Sequence, residues 1–255
     1  MDTIDLSSIH GFVLREIKFQ ETSKIIEVFT EELGRISIIA RGVLKAKSKN
    51  LAITQRFVKA EYNLYKSGKD FYGIKDGLVL DSYSKSTRNF DIIIYKSAIC
   101  DLLLRTIDHT QKGTVYKLLD RSFKAFEEGE KNFENIFFSF LLKYISFSGF
   151  KPNLATCGVS GKKIYDQDLY FSQSLSSVFL KEYKNQVKDR IYLRKSEFVY
   201  LKKLIYTSSD KLCLIEEDID LRKMGKLIMD YCLEKLELRK FNSIEWIYKS
   251  IENRS

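Results

Sequence analysis

The sequence predicts an α+β protein, an N-terminal five-stranded OB-type β-barrel followed by an α-helical domain with an irregular insertion. Three observations predict it. Short β-branched and aromatic runs, separated by turn residues, fill residues 1–83. After Asn89 the apolar spacing changes from the period of a strand to that of a helix. A stretch at about 151–190 breaks the helical pattern, so the division falls at 1–83 and 84–255 with the insertion inside the second part.

The strands follow in order. Gly11–Ile17, Lys24–Thr30 and Arg35–Arg41 are the first three, and Glu31-Glu-Leu-Gly34 is a hairpin turn in which Gly34 is free to take positive φ. In Gln55–Tyr65, alternation puts Val58, Ala60, Tyr62 and Leu64 on a core face and Phe57, Lys59, Glu61, Asn63 and Tyr65 on the opposite one. Ser67–Asp70 is a second turn, and Phe71–Ile74 with Leu78–Leu80 reads as a broken last strand. Five strands in this length suit a small closed barrel. Gly42–Asn50, between the third and fourth, reads as a flexible lysine-rich loop.

The helices come next. Phe90, Ile93, Ile94, Ser97, Asp101 and Leu104 keep helical spacing, as do Val115, Leu118, Leu119, Ser122 and Phe126. Asn132–Ile145 is apolar on most sides, the mark of a helix at the centre of a bundle, and Gly149 and Pro152 end it. Asp168–Phe171 and Ser177–Leu180 are strand-like pieces of the insertion. Helices resume at Ser196–Ile205 and along Leu221, Met224, Leu227, Ile228 and Tyr231, and Ile244–Tyr248 is an amphipathic tail.

Composition excludes several classes. With 255 residues, 44% hydrophobic, 18 Phe and 15 Tyr, the chain has ample material for a packed core rather than a disordered tail. No run approaches 18 consecutive apolar residues, so no membrane-spanning helix is expected. Met1–His10 has neither a basic region nor an apolar one, unlike a signal peptide, and a cytoplasmic location follows as the expectation. Cys100, Cys157, Cys213 and Cys232 form no CxxC pair and read as buried, reduced thiols; no metal and no cofactor are expected.

The net charge of +9 is unevenly spread. Residues 35–69 hold nine basic residues against a single acidic one, Glu61, whereas residues 1–34 hold three basic and seven acidic. A concentrated basic field attracts polyanions through counterion release; a merely solvated face is the alternative. Catalytic signatures are missing: there is no Walker loop and no GxGxxG. His10 and His109 lack a paired nucleophile and fit surface or capping roles. Glu216-Glu-Asp-Ile-Asp220 reads as the acidic first turn of a helix, with a magnesium nuclease site as the lesser reading.

These residues, in this order, resemble the RecO family of bacterial DNA-repair proteins. The resemblance is carried by Gly11-Phe-Val-Leu-Arg15, Glu21-Thr-Ser-Lys24, Phe29-Thr-Glu-Glu-Leu-Gly34, Ile36-Ser, Ala40-Arg-Gly-Val-Leu-Lys45 to Ser48, Gln55-Arg-Phe57 and Leu64-Tyr65. Gly149-Phe150, Pro152, Cys157 and Phe171-Ser172 continue it, and it is loose after residue 190. It implies a mediator of the RecF pathway that binds single- and double-stranded DNA and anneals complementary strands. With RecR, such a mediator helps RecA replace the single-strand-binding protein. It also implies a zinc-finger-like insertion, since many members carry two CxxC pairs there. Here Cys157 stands with Ser160, and the second pair falls roughly on Leu180 and Tyr183, so the insertion is expected to lack the metal.

An OB barrel grips nucleic acid with cations along the phosphates and aromatics under the bases. The expected cations are Arg15, Arg35, Arg41, Lys45, Lys47, Lys49, Arg56, Lys59, Lys66 and Lys69, with Phe57 and Tyr65 as stacking rings. Burial in the barrel or against the helices is the alternative for either ring. The apolar Phe133–Phe150 helix reads as core of the bundle; the alternative, which the family suggests, is that the helical domain leaves a groove for the acidic C-terminal peptide of the single-strand-binding protein, with Lys117, Arg121 and Lys143 beside it. An RNA-binding OB protein and a non-catalytic scaffold for an acidic protein partner are the rival functions.

Overall fold

The structure, a computed structural model, describes residues 6–107 and 112–252. The chain divides into two compact units, Met1–Phe123 and Lys124–Ser255. In the first, β1 (Ile9–Phe19), β2 (Ser23–Thr30), β3 (Gly34–Ala40), β4 (Lys59–Lys66) and β5 (Phe71–Asp81) close a barrel in the order β1-β2-β3-β5-β4. β3 and β5 run parallel, the other pairs antiparallel, and β4 returns to β1. This is the OB-type barrel. As alternation requires, Val58, Ala60, Tyr62 and Leu64 point inward and meet Val13, Ile26, Val28, Ile36 and Ile38. Tyr62 donates its hydroxyl to the Ile53 carbonyl at 2.7 Å, and burial holds that proton firmly on.

One irregularity sets the outer surface. Val13 pairs with Val28 and Arg15 with Glu27, so Leu14 is an extra residue in β1. A bulge reverses the parity of everything after it. Before it, Ile9 and Val13 face the core. After it Arg15, Ile17 and Phe19 face out, and all three are exposed. Arg56 serves this bulge: its Nε donates to the Leu14 carbonyl at 3.0 Å and its backbone N–H to the Glu16 carboxylate at 3.4 Å. The same guanidinium reaches Asp101 at 3.1 Å on α1 (Phe90–Thr106).

Three local expectations need correction. β4 begins at Lys59 rather than Gln55, because Ala52–Thr54 forms a 3-10 turn and Phe57 takes φ of 75°. β5 is one strand, not two, because two register shifts against β4 absorb its extra residues; Gly77 passes there so close to the Glu61 carbonyl that a Cβ would stand 2.5 Å from it. The lysine-rich loop is a chain of turns rather than free coil. Val43 is buried, Leu44 N–H bonds the Thr22 carbonyl at 2.8 Å and Gly42 N–H bonds the Ser23 hydroxyl at 3.3 Å.

Helix α1 starts at Asn89, whose side chain accepts from the Asp91 and Ile92 N–H groups. Its Lys96 is fully buried, donating to the Ser86 hydroxyl at 2.6 Å and the Tyr83 carbonyl at 3.2 Å beneath the rings of Phe57, Tyr83 and Phe123. α2 (Lys112–Glu128) crosses the division between the units, so the compact first unit extends past the barrel's last strand.

The second unit is built on α3 (Phe133–Phe147), whose Ile136, Phe137, Phe138, Phe140 and Leu141 are all buried. α4 (Lys195–Tyr206) and α5 (Leu221–Lys235) pack on it, and α6 (Asn242–Glu252) packs on α5. Gly149 at φ of 89° closes α3, with Phe150 N–H returning to the Ile145 carbonyl at 2.9 Å. The insertion forms a sheet in the order β7-β6-β8, from β6 (Leu169–Ser172), β7 (Ser177–Phe179) and β8 (Arg190–Leu193). The acidic run is not a first turn: Asp220 alone caps α5, while Glu216, Glu217 and Asp218 precede it and pair with Lys131, Lys203 and Arg194.

Removing the charged hydrogen bonds at the bulge with Arg56→Ala is expected to cost about 2 kcal/mol of stability, measured by urea denaturation. A loss below about 0.5 kcal/mol, the level of an ordinary surface site, would show that the bulge needs no such support.

Candidate nucleic-acid interface

Partner residues on neighbouring strands face the same way, so strand register orders the outer surface into rows. One row crosses the whole barrel as Ile17, Ile25, Ile39, Gly73 and Tyr65. The Tyr65 ring lies across Gly73, where an added Cβ would stand 2.2 Å from it. Only glycine lets the ring lie flat along the strand. Ile17 is 42% exposed and Tyr65 37%, as is Phe19 two residues beyond Ile17. The result is a half-open apolar and aromatic stripe on the barrel exterior.

Cations flank it. The adjoining row is Arg15, Glu27, Ser37 and Phe71; Glu27 is occupied by the Ser37 hydroxyl at 2.8 Å, and Arg15 is exposed. Arg41 follows β3 directly. The pinned loop holds Lys45, Lys47 and Lys49 beside the β1–β2 turn, all exposed. Among the described residues, the side chains of Arg15, Arg41, Lys45, Lys47 and Lys49 make no hydrogen bond or ion pair. Lys69 is exposed in the β4–β5 turn, and the Lys66 ammonium sits 3.9 Å from the centre of the Tyr72 ring.

Other expected contacts are engaged elsewhere. Phe57 is 7% exposed, packed against Phe123 with the Arg56 guanidinium 5.0 Å from its centre. Parity failed for it because it precedes the strand. Arg56 holds the bulge. Lys59 pairs with Asp120 at 2.8 Å over the rings of Phe12 and Tyr116. Arg35 is exposed but donates to the Leu104 carbonyl near the end of α1, the helix-terminal position that favours a cation. Lys143 donates to the Thr207 carbonyl at 2.6 Å, while Lys117 and Arg121 lie exposed one turn apart on α2. His109 lies outside the described residues.

The side chains missed by sequence reasoning are Ile17, Phe19, Ile25 and Ile39, together with the glycine under Tyr65. The tight Glu31–Gly34 turn sets the β2–β3 register and would have paired Ile25 with Ile39. Ile17 needed knowledge of the bulge.

Members of the resembled family often carry zinc in the insertion, and the residues here do not fit it. The Cys157 sulfur is buried, which raises its pKa. Hydrogen bonds from the Ser160 hydroxyl and from the N–H groups of Leu180, Ser160 and Val159 outweigh that and hold the thiol below its ordinary value. No second thiolate stands at Ser160, Leu180 or Tyr183, and one cannot hold a structural zinc. Instead Leu169, Phe171, Val178 and Phe179 are buried between the strands, and Asp189 binds the Ser172 hydroxyl and the Ser174 N–H at 2.9 and 2.8 Å. Cys157→Ser is therefore expected to leave the metal content of the purified chain unchanged by atomic absorption, with a stability cost of about 1 kcal/mol. Loss of an equivalent of zinc on that substitution would contradict this.

The profile of the family described as "Recombination protein O N terminal" matches residues 4–83, and that of "Recombination protein O C terminal" matches residues 88–245. The chain is 30% identical over 243 residues to the DNA repair protein RecO of Caldicellulosiruptor saccharolyticus, covering 95% of this chain and 97% of the relative. It is 27% identical over 235 residues to that of Caldanaerobacter subterraneus subsp. tengcongensis, covering 89% and 92%. Against that of Clostridium novyi it is 31% identical over 155 residues, where the match spans about 60% of either protein's length. Two adjoining family profiles, filled by the closed barrel and by the helices that follow it, place this chain in the RecO family of DNA repair and recombination proteins.

Proposed function

We propose that the chain is a non-catalytic recombination mediator that binds single- and double-stranded DNA without sequence preference and anneals complementary strands. The observation that carries the reading is the outer stripe of Ile17, Ile25, Ile39 and Tyr65 beside five exposed cations, Arg15, Arg41, Lys45, Lys47 and Lys49, which make no hydrogen bond or ion pair among the described residues. Cations spread along a groove follow phosphates, and a flat apolar strip accepts the faces of bases without reading their edges. Annealing follows from the same layout. Two strands repel through their phosphates, and mobile ammonium groups lower that repulsion while leaving base edges free to pair. The partners in this reading are RecR, RecA indirectly, and the single-strand-binding protein; Lys117 and Arg121 are the exposed cations for its acidic peptide.

Salt and mutation test it together. With five phosphate contacts, the slope of log affinity against log salt on duplex DNA is expected near −4.5. The joint replacement of Lys45, Lys47 and Lys49 by Ala should bring it to about −2. Fluorescence anisotropy of a labelled oligonucleotide reads both, and an unchanged slope would refute the surface. Tyr65→Ala should weaken single-stranded binding by about 1–3 kcal/mol while leaving the salt slope alone. Equal or tighter binding of RNA in competition would favour an RNA-binding protein instead. Annealing of a strand coated with single-strand-binding protein tests the mediator step itself.

A further inference from the structure

The barrel exterior ahead of the bulge carries a constellation that lies outside the stripe and its cations. His10 stands on β1 opposite Glu61 of β4, and the β2–β3 turn brings Glu31 and Glu32 to the same place. The backbone fixes all four. Glu31 N–H bonds the His10 carbonyl at 3.1 Å, and the Glu32 carboxylate accepts from His10 N–H at 3.2 Å. The imidazole lies between two carboxylates, with Nδ1 3.4 Å from Glu32 and Nε2 3.2 Å from Glu61.

This geometry favours a positive charge between the carboxylates. An imidazolium donates from both nitrogens; when the ring is neutral with Nε2–H on Glu61, the Nδ1 lone pair faces the Glu32 carboxylate, a position that suits a bound cation. One ligand atom from each of His10, Glu31 and Glu32 lies within 4.8 Å of the other two. Ligands about 2.1 Å from a tetrahedral ion stand roughly 3–4 Å apart, so a small inward movement closes the site. A ligating histidine typically donates its other nitrogen to a carboxylate, and Glu61 supplies that group.

The Lys112 ammonium bonds the main-chain carbonyl of Glu32. The Glu31 carboxylate has no hydrogen bond or ion pair among the described residues.

We propose that His10, Glu31 and Glu32 bind a first-row divalent cation, with Glu61 orienting the imidazole. One imidazole with carboxylates suits zinc, cobalt or manganese better than magnesium, which prefers oxygen and water. The ion would join β1, the β2–β3 turn and, through Glu61, β4. This is a site in the barrel, separate from Cys157.

The test uses the full-length chain after dialysis against chelator, titrated with cobalt(II) alone. One equivalent should bind, giving d–d absorption without a thiolate charge-transfer band, and zinc should displace it. His10→Ala and Glu31→Gln should each weaken binding at least tenfold, and Glu61→Gln by about tenfold. Because the Glu31 side chain has no other contact of this kind, Glu31→Gln reports on the ligand even if His10→Ala disturbs the strand. No binding at about 1 mM, binding indifferent to His10→Ala and Glu31→Gln, or a thiolate band would each overturn the site.

Discussion

The outer surface of this barrel depends on one inserted residue. Leu14 adds a step to β1, and from that point odd-numbered residues face outward where even-numbered ones did before. Ahead of it, His10 pairs with Glu61 and Phe12 packs under Tyr116 and Phe123. Behind it, Arg15, Ile17 and Phe19 meet solvent. A single strand thus serves two surfaces of different chemistry, one acidic around His10, the other cationic around Arg15. The guanidinium of Arg56 satisfies the carbonyl that the insertion displaces, and ties it to Asp101.

The basic segment is therefore two populations. Arg35, Arg56 and Lys59 hold the barrel and α1 and α2 of the first unit in place, through the Leu104 carbonyl, the bulge and Asp120. Arg41 and the loop lysines do no such work. Counting charges between residues 35 and 69 does not separate structural cations from available ones. Partners decide that, and they come from α1 and α2, more than forty residues away in sequence.

The legible parts of the fold were those with local causes. The alternation of Val58, Ala60, Tyr62 and Leu64 marked the core face of β4, Gly34 marked the hairpin, and Gly149 with Pro152 marked the end of α3. What escaped was set by long-range register or by positive φ at a residue other than glycine. Phe57 is the clearest case: alternation placed it outside, but at φ of 75° it precedes the strand and turns under Phe123. The bulges in β5 hid one strand as two. β8 escaped because it is short and partly exposed, and only its pairing with β6 makes it a strand. At the candidate interface, Tyr65 was visible by parity, whereas the isoleucines beside it became neighbours only through the closed sheet.

The insertion holds its strands together without the set of thiolates that a metal clasp needs. Main-chain donors converge on the Cys157 sulfur, and aromatic and aliphatic packing and the Asp189 network join the strands. A clasp assembled this way closes as the chain folds, without waiting for an ion to be delivered. Cys157 is also the one thiol of residues 151–190, so oxidants find no pair of sulfurs there to bridge.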